Sequence, residues 1–382
     1  MKKIFMTVIL VIALVVPTML VACAPEAKPA PPEQKPIKIG TSQGLSGMAT
    51  GMATALKYGM LQRAAEINEV GGLLGGRKVD ILIEDDEAKP ERATTIAARH
   101  IDVDGCCLLI AGVTTAVGLA TAEVCDDREI PVICPASAGA ALMVPTRPWV
   151  FGYFPATTEQ AACFAVRAQK VGAKKVAIYY ADNTWGHENK DAGVSLALKY
   201  GYEVVCEVPV PVGATETMAL VAQMKAANPD IIMNRTYEPE TAALLRAREA
   251  LDWKVTVLSE DSITAGAAKL VTPDLLEDVQ VNPLFLSTKP LALEALARGK
   301  ERFGKEAWTS DSMFCLAYDA VTLAAKAITR AGSTDPAAIR DALETIRDFK
   351  DITCGGIDYT LSYGPDDHIG LDRDAYSWFA YK

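Results

Sequence analysis

The chain has 382 residues, half of them hydrophobic, and its 48 acidic and 38 basic residues give a net charge of −10. The acidic residues are dispersed along the chain, and the basic residues form no stripe. Nucleic acid and other polyanions are therefore not expected as partners. The length exceeds what one hydrophobic core usually serves, and two lobes are therefore expected.

The N-terminus has the pattern of a bacterial lipoprotein signal. Two lysines precede an apolar run from Ile4 to Ala22, which ends in Leu-Val-Ala-Cys at Cys23. We therefore predict a signal peptide over residues 1–22 and acylation of the cysteine that follows it. Several acyl chains, at about 0.8 kcal/mol for each buried methylene, would anchor the protein firmly to a membrane. An uncleaved transmembrane helix is the alternative, which Pro17 and the Ala-Cys ending disfavour.

A proline-rich segment follows at residues 23–36 and contains few large apolar side chains. This composition predicts an extended, semi-rigid tether between the membrane and a folded domain that begins at Ile37. The protein is therefore expected in the periplasm or at the cell surface, attached to a membrane by its lipid.

From Ile37 onward, short β-rich runs alternate with longer helical runs. These strands are continuously apolar, which is typical of parallel sheets covered by helices on both faces. The repeated βαβ units predict an α/β fold with two doubly wound parallel sheets, one for each lobe. The predicted strands are Ile37–Thr41, Val79–Ile83, Leu108–Ala111, Val132–Cys134, Val176–Tyr180, Glu203–Val208, Asp230–Met233 and Val255–Leu258.

The last part of the chain has a different pattern, with helices that have little strand between them. Helices are predicted at Leu291–Phe303, Ser312–Ala331 and Pro336–Phe349. Short strands are predicted at Ile357–Leu361 and Ser377–Tyr381.

Open parallel sheets bind ligands beyond the carboxyl ends of their strands. The loops at these ends contain hydroxyls, glycines, two aromatic residues and a few charges, which suits a small polar ligand. Backbone N–H groups at helix starts favour a carboxylate. The loops that this rule selects are Gln43–Gly47, Val113–Val117, Pro135–Gly139, Asp182–Gly186, Arg235–Glu238 and Ser259–Ser262.

Enzymatic chemistry has one candidate in this sequence, which is Ser46 in Gly44-Leu-Ser-Gly47. A hydrolase nucleophile elbow requires a second glycine where Met48 stands, and none of the three histidines is placed as a base. We predict no metal and no cofactor. Eight cysteines follow Cys23 and would permit disulfides after export, but no Cys-x-x-Cys spacing occurs and the pairing cannot be deduced.

Several short motifs follow one another along the chain in a set order. They are Ile37-Lys-Ile-Gly40, Gly44-Leu-Ser-Gly47, Glu66-Ile-Asn-Glu-Val-Gly-Gly72, Asp85-Asp86 with Pro90 and Ala93, Ile110-Ala-Gly112, Pro135-Ala-Ser137 and Tyr318-Asp319-Ala320. Each motif alone is weak, but together they cover the chain from Ile37. In this order they resemble leucine/isoleucine/valine-binding proteins. The resemblance implies a type I periplasmic binding protein, in which two lobes joined by a hinge of three crossover strands close on a ligand.

The resemblance also implies which residues hold the ligand carboxylate. Thr114 and Thr115 would face it with their hydroxyls and backbone N–H groups, and Ala136 would add a backbone N–H and carbonyl. Ser46 and Ser137, in two of the strand-end loops, complete this set of candidate ligand-binding residues. The hydroxyl that the family usually has two residues past Ala136 is absent here, which puts branched-chain specificity in question.

The remaining candidate residues would cover the ligand and bind its ammonium group. Trp185 stands where the family often has a tyrosine over the ligand, and Tyr237 matches a second aromatic. Asp261 corresponds to the acid that pairs with the ammonium, with Glu260 as the alternative if the register shifts by one. Arg235 either adds a positive charge to the pocket or lies on its solvated rim.

These inferences predict an extracytoplasmic solute-binding lipoprotein of an ABC importer, which captures a branched-chain or related amino acid, or a similar small carboxylate. The expected partners are the permease subunits, the membrane through the lipid, and no nucleic acid; a monomer is expected. Alternatives are a sensor that presents its ligand to another receptor, and a lipid-anchored serine hydrolase using Ser46. The expected lobes are 37–155 with 284–360 and 156–283 with 361–382.

Overall fold

The computed structural model describes residues 34–47, 49–283, 289–350, 352–355 and 358–381. The predicted signal peptide 1–22, the lipidation site Cys23 and the tether as far as residue 33 lie outside the described residues. By its internal contacts the chain divides after Lys35, and the folded body is the unit Pro36–Lys382.

Five parallel strands form the first sheet. They are β1 (Ile37–Gln43), β2 (Val79–Asp85), β3 (Leu108–Ile110), β4 (Val132–Cys134) and β5 (Val150–Gly152). Their order in space is β2-β1-β3-β4-β5. The order reverses between β1 and β3, so the loops that follow these two strands diverge and leave a crevice at that point.

Six strands form the second sheet. They are β6 (Lys175–Ala181), β7 (Glu203–Val210), β8 (Ile231–Arg235), β9 (Thr256–Ser259), β10 (Val279–Val281) and β11 (Phe379–Ala380). Their order is β11-β10-β9-β8-β6-β7, and all pairs are parallel except β10 with β11. The order reverses between β6 and β8, which creates a second crevice. The predicted α/β fold with two doubly wound parallel-sheet lobes is confirmed.

Helices cover both sheets. They are α1 (Thr50–Glu69), α2 (Pro90–Asp102), α3 (Thr115–Asp127), α4 (Ala140–Met143), α5 (Thr157–Lys170), α6 (Thr184–Tyr200), α7 (Met218–Ala226), α8 (Glu238–Ala250), α9 (Asp261–Ala267), α10 (Pro290–Phe303), α11 (Asp311–Ala331) and α12 (Pro336–Leu343). Side-chain caps fix where four of these helices begin, because each cap accepts a backbone N–H of the first turn. The caps are Thr114 for α3, Asn183 for α6, Ser310 for α11 and Asp335 for α12.

Helix α11 is the central helix of the first lobe. Within the described ranges it is the one helix long and apolar enough to cross a membrane, but nearly all of it is buried inside the protein. It packs closely on α1, because a Cβ atom at Gly59 would lie 2.1 Å from the carbonyl oxygen of Phe314. The length and hydropathy of α11 are therefore those of a core helix.

Three crossovers join the lobes. The first is residues 153–157, between β5 and α5, and the second leads from the end of β10 at Val281 to the start of α10 at Pro290. Asp319 of α11 is fully buried and accepts hydrogen bonds from the Tyr153 hydroxyl and from the backbone N–H groups of Thr353 and Cys354. The Lys289 ammonium donates to the Cys354 carbonyl at 2.8 Å. One buried acid therefore ties the first two crossovers to the same helix.

The third crossover leads from the first sheet to β11. Ile369 forms a parallel bridge with Gly152, and the Gly370 N–H donates to the Gly152 carbonyl at 2.7 Å. The Tyr363 hydroxyl donates to the same carbonyl at 3.1 Å. These bonds hold residues 361–370 against β5, so we propose a lobe boundary after Gly370 instead of the expected one at residue 361.

The C-terminal elements differ in detail from the sequence-based predictions. Helix α12 ends at Leu343, and the predicted extension to Phe349 is wrong. Residues 344–349 do not continue the helix, because their backbone groups bond to residues further along the chain. Phe349 exchanges two backbone hydrogen bonds with Leu361, and the Ile346 carbonyl accepts the Tyr363 N–H. This contact between Phe349 and Leu361 is an isolated bridge rather than a strand.

The cysteines in the described part of the chain are all free. Seven of the eight are buried, and burial raises the pKa of Cys106 to about 12 and that of Cys107 to about 11. Such thiols stay protonated near neutral pH and pack as small apolar side chains. No disulfide forms among these eight residues.

Candidate functional site

A narrow cavity, partly open to solvent, lies between the lobes where the two crevices face each other. We call it the main cavity. The first lobe and the first crossover contribute Met52, Val113, Thr114, Thr115, Ala136, Phe154 and Met313, and the second lobe contributes Trp185, Tyr237, Glu260 and Ile263. The walls lie close together and leave room for only a few water-sized groups, so a larger ligand requires the lobes to separate before it can enter.

The N-terminus of α3 forms one end of the main cavity. The Thr114 hydroxyl accepts the Val117 N–H at 3.3 Å, which leaves the N–H groups of Thr115 and Ala116 without an acceptor inside the helix. The Thr115 side chain is 3% exposed and its hydroxyl oxygen has no hydrogen-bond partner. The first turn of α3 therefore supplies two backbone donors, a hydroxyl and the positive end of the helix dipole, which suits a carboxylate.

Ser137 supports this end of the cavity from behind. Its hydroxyl contacts the carbonyl oxygens of Gly112 and Thr114, at 2.5 and 3.2 Å. The Ser137 hydroxyl is therefore engaged by the backbone, and Ser137 is not among the residues that line the main cavity. It holds the loop before α3 in place, so its effect on a ligand would be indirect.

Two aromatic rings form the opposite wall. The rings of Trp185 and Tyr237 lie 5.3 Å apart and are inclined by 31°. The Tyr237 hydroxyl accepts from the Asn183 amide at 3.1 Å, and the Trp185 indole N–H donates to Gln160 at 3.3 Å. Because the polar edges of both rings already have partners, the rings present apolar surface to the cavity.

Arg235 is buried beneath this wall and is not a rim residue. It is 2% exposed, and its guanidinium lies 4.4 Å from the ring centre of Phe164 and 4.8 Å from that of Trp185. It forms an ion pair with Glu260 at 2.8 Å and also donates to Gln160. The charge of Arg235 is therefore directed at a carboxylate that lines the cavity.

The two neighbouring acids, Glu260 and Asp261, differ in position: only Glu260 lines the main cavity. Glu260 has extended backbone and precedes α9, whereas Asp261 is the first residue of that helix, so their side chains diverge. Glu260 lines the main cavity. Asp261 accepts from the Ser312 hydroxyl at 3.0 Å and lines a second, adjoining cavity. Within the main cavity the structure therefore supports Glu260, the alternative, in place of Asp261.

We call this second space the hinge cavity. It is smaller than the main cavity and is lined by Phe154, Glu260, Asp261, Asn282, Ser312, Met313 and Tyr376. It shares Phe154, Glu260 and Met313 with the main cavity. Sequence analysis missed it, because its lining comes from crossover residues that no strand-end rule selects.

Ser46 lies away from both cavities. Its side chain is exposed, and its hydroxyl donates to a carboxylate oxygen of Asp85 at 2.7 Å. No histidine contacts it, so the arrangement of a nucleophile with a base is not formed. The structure thus places Ser46 outside the residues that line the two cavities.

The lobes touch each other around the cavity. The Glu188 carboxylate of α6 accepts the backbone N–H of Ala140 in the first lobe at 3.1 Å. The Glu238 carboxyl of α8 lies against Gly51 of α1, and one of its oxygens is buried without a partner. Burial raises the pKa of Glu238 to about 7. With the Asp261–Ser312 bond, these contacts describe a closed cleft.

Together, the fold and the cavity define a two-lobed protein that encloses a small ligand at a hinge. The family model for periplasmic binding proteins matches residues 36–376, and the chain belongs to this family. It is a solute-binding protein and not an enzyme, as the sequence predicts. The family also places it outside the cytoplasm.

Relatives and solved structures agree with this assignment. An amino acid binding protein of Pseudomonas aeruginosa is 25% identical over 316 residues, covering 79% of this chain and 82% of the relative. A Leu/Ile/Val-binding protein homolog of Brucella melitensis is 26% identical over 305 residues, covering 79% of this chain and 81% of the relative. A type 1 periplasmic binding protein of Bordetella pertussis shares the fold, with a TM-score of 0.82 at 22% identity over 91% of this chain and 97% of that one.

Proposed function

We propose that this protein is the solute receptor of an ABC importer and that its ligand is a small α-amino acid. The observation that carries the proposal is Thr115, which lines the main cavity at the N-terminus of α3 and whose hydroxyl is buried without a partner. An unpaired buried hydroxyl costs about 1–3 kcal/mol, a cost that a bound carboxylate would remove. The names of the relatives support an amino acid over other carboxylates.

The two ends of the main cavity give the ligand an orientation. Its carboxylate would lie at Thr115 and the α3 N-terminus, in the first lobe. Its ammonium would face Glu260 in the second lobe. The side-chain carboxylate of Glu260 is held there by its ion pair with Arg235. The ligand would thus bridge the lobes and stabilise the closed form, which is how a hinged receptor couples binding to a change of shape.

The apolar wall would receive the aliphatic part of the ligand. Met52, Ile263 and Met313 line the cavity together with the rings of Trp185 and Tyr237. Methionine side chains adapt to ligands of different shape. The wall therefore fits a short aliphatic chain, whereas the large Trp185 ring reduces the space that a tyrosine would leave.

The closed receptor would deliver its ligand to permease subunits in the membrane. We propose that the lipid on Cys23 keeps it there, through the tether of residues 23–36. Cys23→Ser should release the protein from the membrane fraction into a soluble fraction outside the cytoplasm. If the variant stays with the membrane fraction, the anchoring part of the proposal fails.

A thermal-shift screen of the full chain in mild detergent tests the ligand class. The twenty amino acids, short amides, aromatic acids and dicarboxylates should be compared. A ligand at 100 times its dissociation constant stabilises by about 2.7 kcal/mol, which is measurable. We expect at least one amino acid to raise the melting temperature. A shift by amides or aromatic acids alone would reject the amino acid proposal.

A further inference from the structure

The hinge cavity is built where the three crossovers meet. Phe154 comes from the first crossover, Asn282 from the second and Tyr376 from the third. Asp261 of the second lobe and Ser312 of the first lobe close the remaining side with a hydrogen bond of 3.0 Å. The cavity therefore exists only in the closed form, beside the main cavity and in contact with Glu260.

Two polar side chains face this cavity with unpartnered atoms. Asn282 is 2% exposed and its amide nitrogen lies 3.9 Å from the Cys163 sulfur, which leaves its carbonyl oxygen without a partner. The same sulfur accepts the Trp378 indole N–H at 3.1 Å, so it already acts as an acceptor, and in the orientation described the amide nitrogen of Asn282 is the group that faces it. The Tyr376 hydroxyl is also buried and unpartnered.

Of the two acids that line the hinge cavity, one has a basic partner among the described residues and the other does not. Glu260 is paired with Arg235 at 2.8 Å. In the part of the chain that the structure describes, no basic side chain forms an ion pair with Asp261, whose partner is the neutral Ser312 hydroxyl. The hinge cavity thus offers hydrogen-bond acceptors, Asp261 and Asn282, and one hydroxyl that can act either way.

We propose that the hinge cavity is a subsite for a second polar group of the ligand, a group that donates hydrogen bonds. The cavity has room for about one water-sized group, which fits an ammonium or a hydroxyl. The ligand class is then α-amino acids whose side chain ends in such a donor. This inference rests on the proposed function, because it assumes that the α-carboxylate and α-ammonium occupy the main cavity.

Three ligands of equal length test the subsite. L-Ornithine, 5-hydroxy-L-norvaline and L-norleucine differ only in ending with an ammonium, a hydroxyl or a methyl group. Calorimetric titration of the full chain in mild detergent should show the first two binding at least about tenfold more tightly than L-norleucine, since only they satisfy the buried acceptors.

Variants show whether this preference comes from the hinge cavity. Tyr376→Phe removes one hydroxyl and keeps the shape of the ring. Asn282→Leu removes the amide acceptor, and Asp261→Asn removes the negative charge. Each should bring the affinities for L-ornithine and L-norleucine closer together, by about threefold or more. Gln280→Leu is the matched control two residues before Asn282, because Gln280 accepts from Arg167 at 2.8 Å and does not line the cavity. It should keep the wild-type preference.

Two results would overturn the inference in distinguishable ways. If L-norleucine binds as tightly as the other two ligands, and Tyr376→Phe changes nothing, the hinge cavity holds only water and the proposed function stands. If none of the three ligands binds although another amino acid raises the melting temperature, the subsite fails and the proposed function stands; if no amino acid binds at all, both fail together.

Discussion

Glu238 of the second lobe and Gly51 of the first lobe are in contact across the cleft. A Cβ atom at Gly51 would come within 2.6 Å of a carboxyl oxygen of Glu238, and one at Gly266 would come within 2.4 Å of the same oxygen. The carboxyl group thus lies between two helices that both lack a side chain at this point. Its burial against Gly51 depends on closure, because that glycine belongs to the other lobe.

This contact predicts that closure takes up a proton. Burial raises the pKa of Glu238 to about 7, a shift that Lys269 opposes and Glu240 increases. In an open cleft the group should titrate near its ordinary value of 4.5. The closed form therefore gains stability that is fully present below pH 4.5 and is lost as the pH rises through 7.

Ligand affinity should follow the same pH dependence. Between about pH 5 and pH 7, each unit of increase should weaken binding, by up to about tenfold if no other group compensates. Glu238→Gln, which is neutral at every pH, should flatten the profile. Equal pH profiles for the wild type and this variant, measured by titration calorimetry, would show that Glu238 does not carry the effect.

A bulky side chain at Gly51 should hold the cleft open. Gly51→Val places methyl groups where the Glu238 carboxyl lies, so we expect ligand affinity to fall by about tenfold or more while the unfolding temperature changes little. Glu238→Ala added to this variant should restore much of the affinity, because it removes the atoms that clash. If Gly51→Val binds as tightly as the wild type, the contact does not control closure.

Two threonines of α3 should respond in opposite ways to the same change. Thr115→Val replaces a hydroxyl that has no partner, so it should leave stability equal or higher while weakening carboxylate ligands by about tenfold. Thr121→Val removes a hydrogen bond of 3.0 Å to the Val117 carbonyl, so it should lower stability by about 1 kcal/mol and leave affinity unchanged. Urea unfolding and titration of both variants check this. A loss of affinity in both variants alike would point to a general disturbance of α3.

The buried ion pair of Arg235 and Glu260 should be sensitive to the loss of either partner. Each single change, Arg235→Gln or Glu260→Gln, leaves the other charge buried, which costs about 3–5 kcal/mol. The double variant should lose less free energy of unfolding than the two single variants lose together. Urea unfolding of the three variants measures this, and additive losses would mean that the pair does not act as a unit.

The fold was predictable because its signals are local. Strands such as Val132–Cys134 are continuous apolar runs, and helices such as α2 begin at a proline. The strands β5 and β10 were not predicted, because β5 ends in Gly152 and β10 is interrupted by Gln280, so neither is a continuous apolar run. The end of α12 was misplaced because the competing partner of Phe349 lies 12 residues further along the chain.

The site was partly predictable for a related reason. Thr115, Ala136, Trp185 and Tyr237 lie in strand-end loops, which the parallel-sheet rule selects, and the structure brings them together. Whether Glu260 or Asp261 faces the main cavity depends on where α9 begins, which a sequence pattern fixes only to within a residue or two. Asn282 and Tyr376 carry no sequence signal, because the crossovers bring them together from distant parts of the chain.

The central claim is that the N-terminus of α3 holds the carboxylate of an amino acid and that Glu260 holds its ammonium. The most direct test is calorimetric titration with the best amino acid from the screen, its decarboxylated amine and its deaminated acid, in the wild type, Thr115→Val and Glu260→Gln. We expect Thr115→Val to weaken the amino acid and the acid but not the amine, and Glu260→Gln to weaken the amino acid and the amine but not the acid. Equal losses for all three ligands in both variants would contradict the assignment.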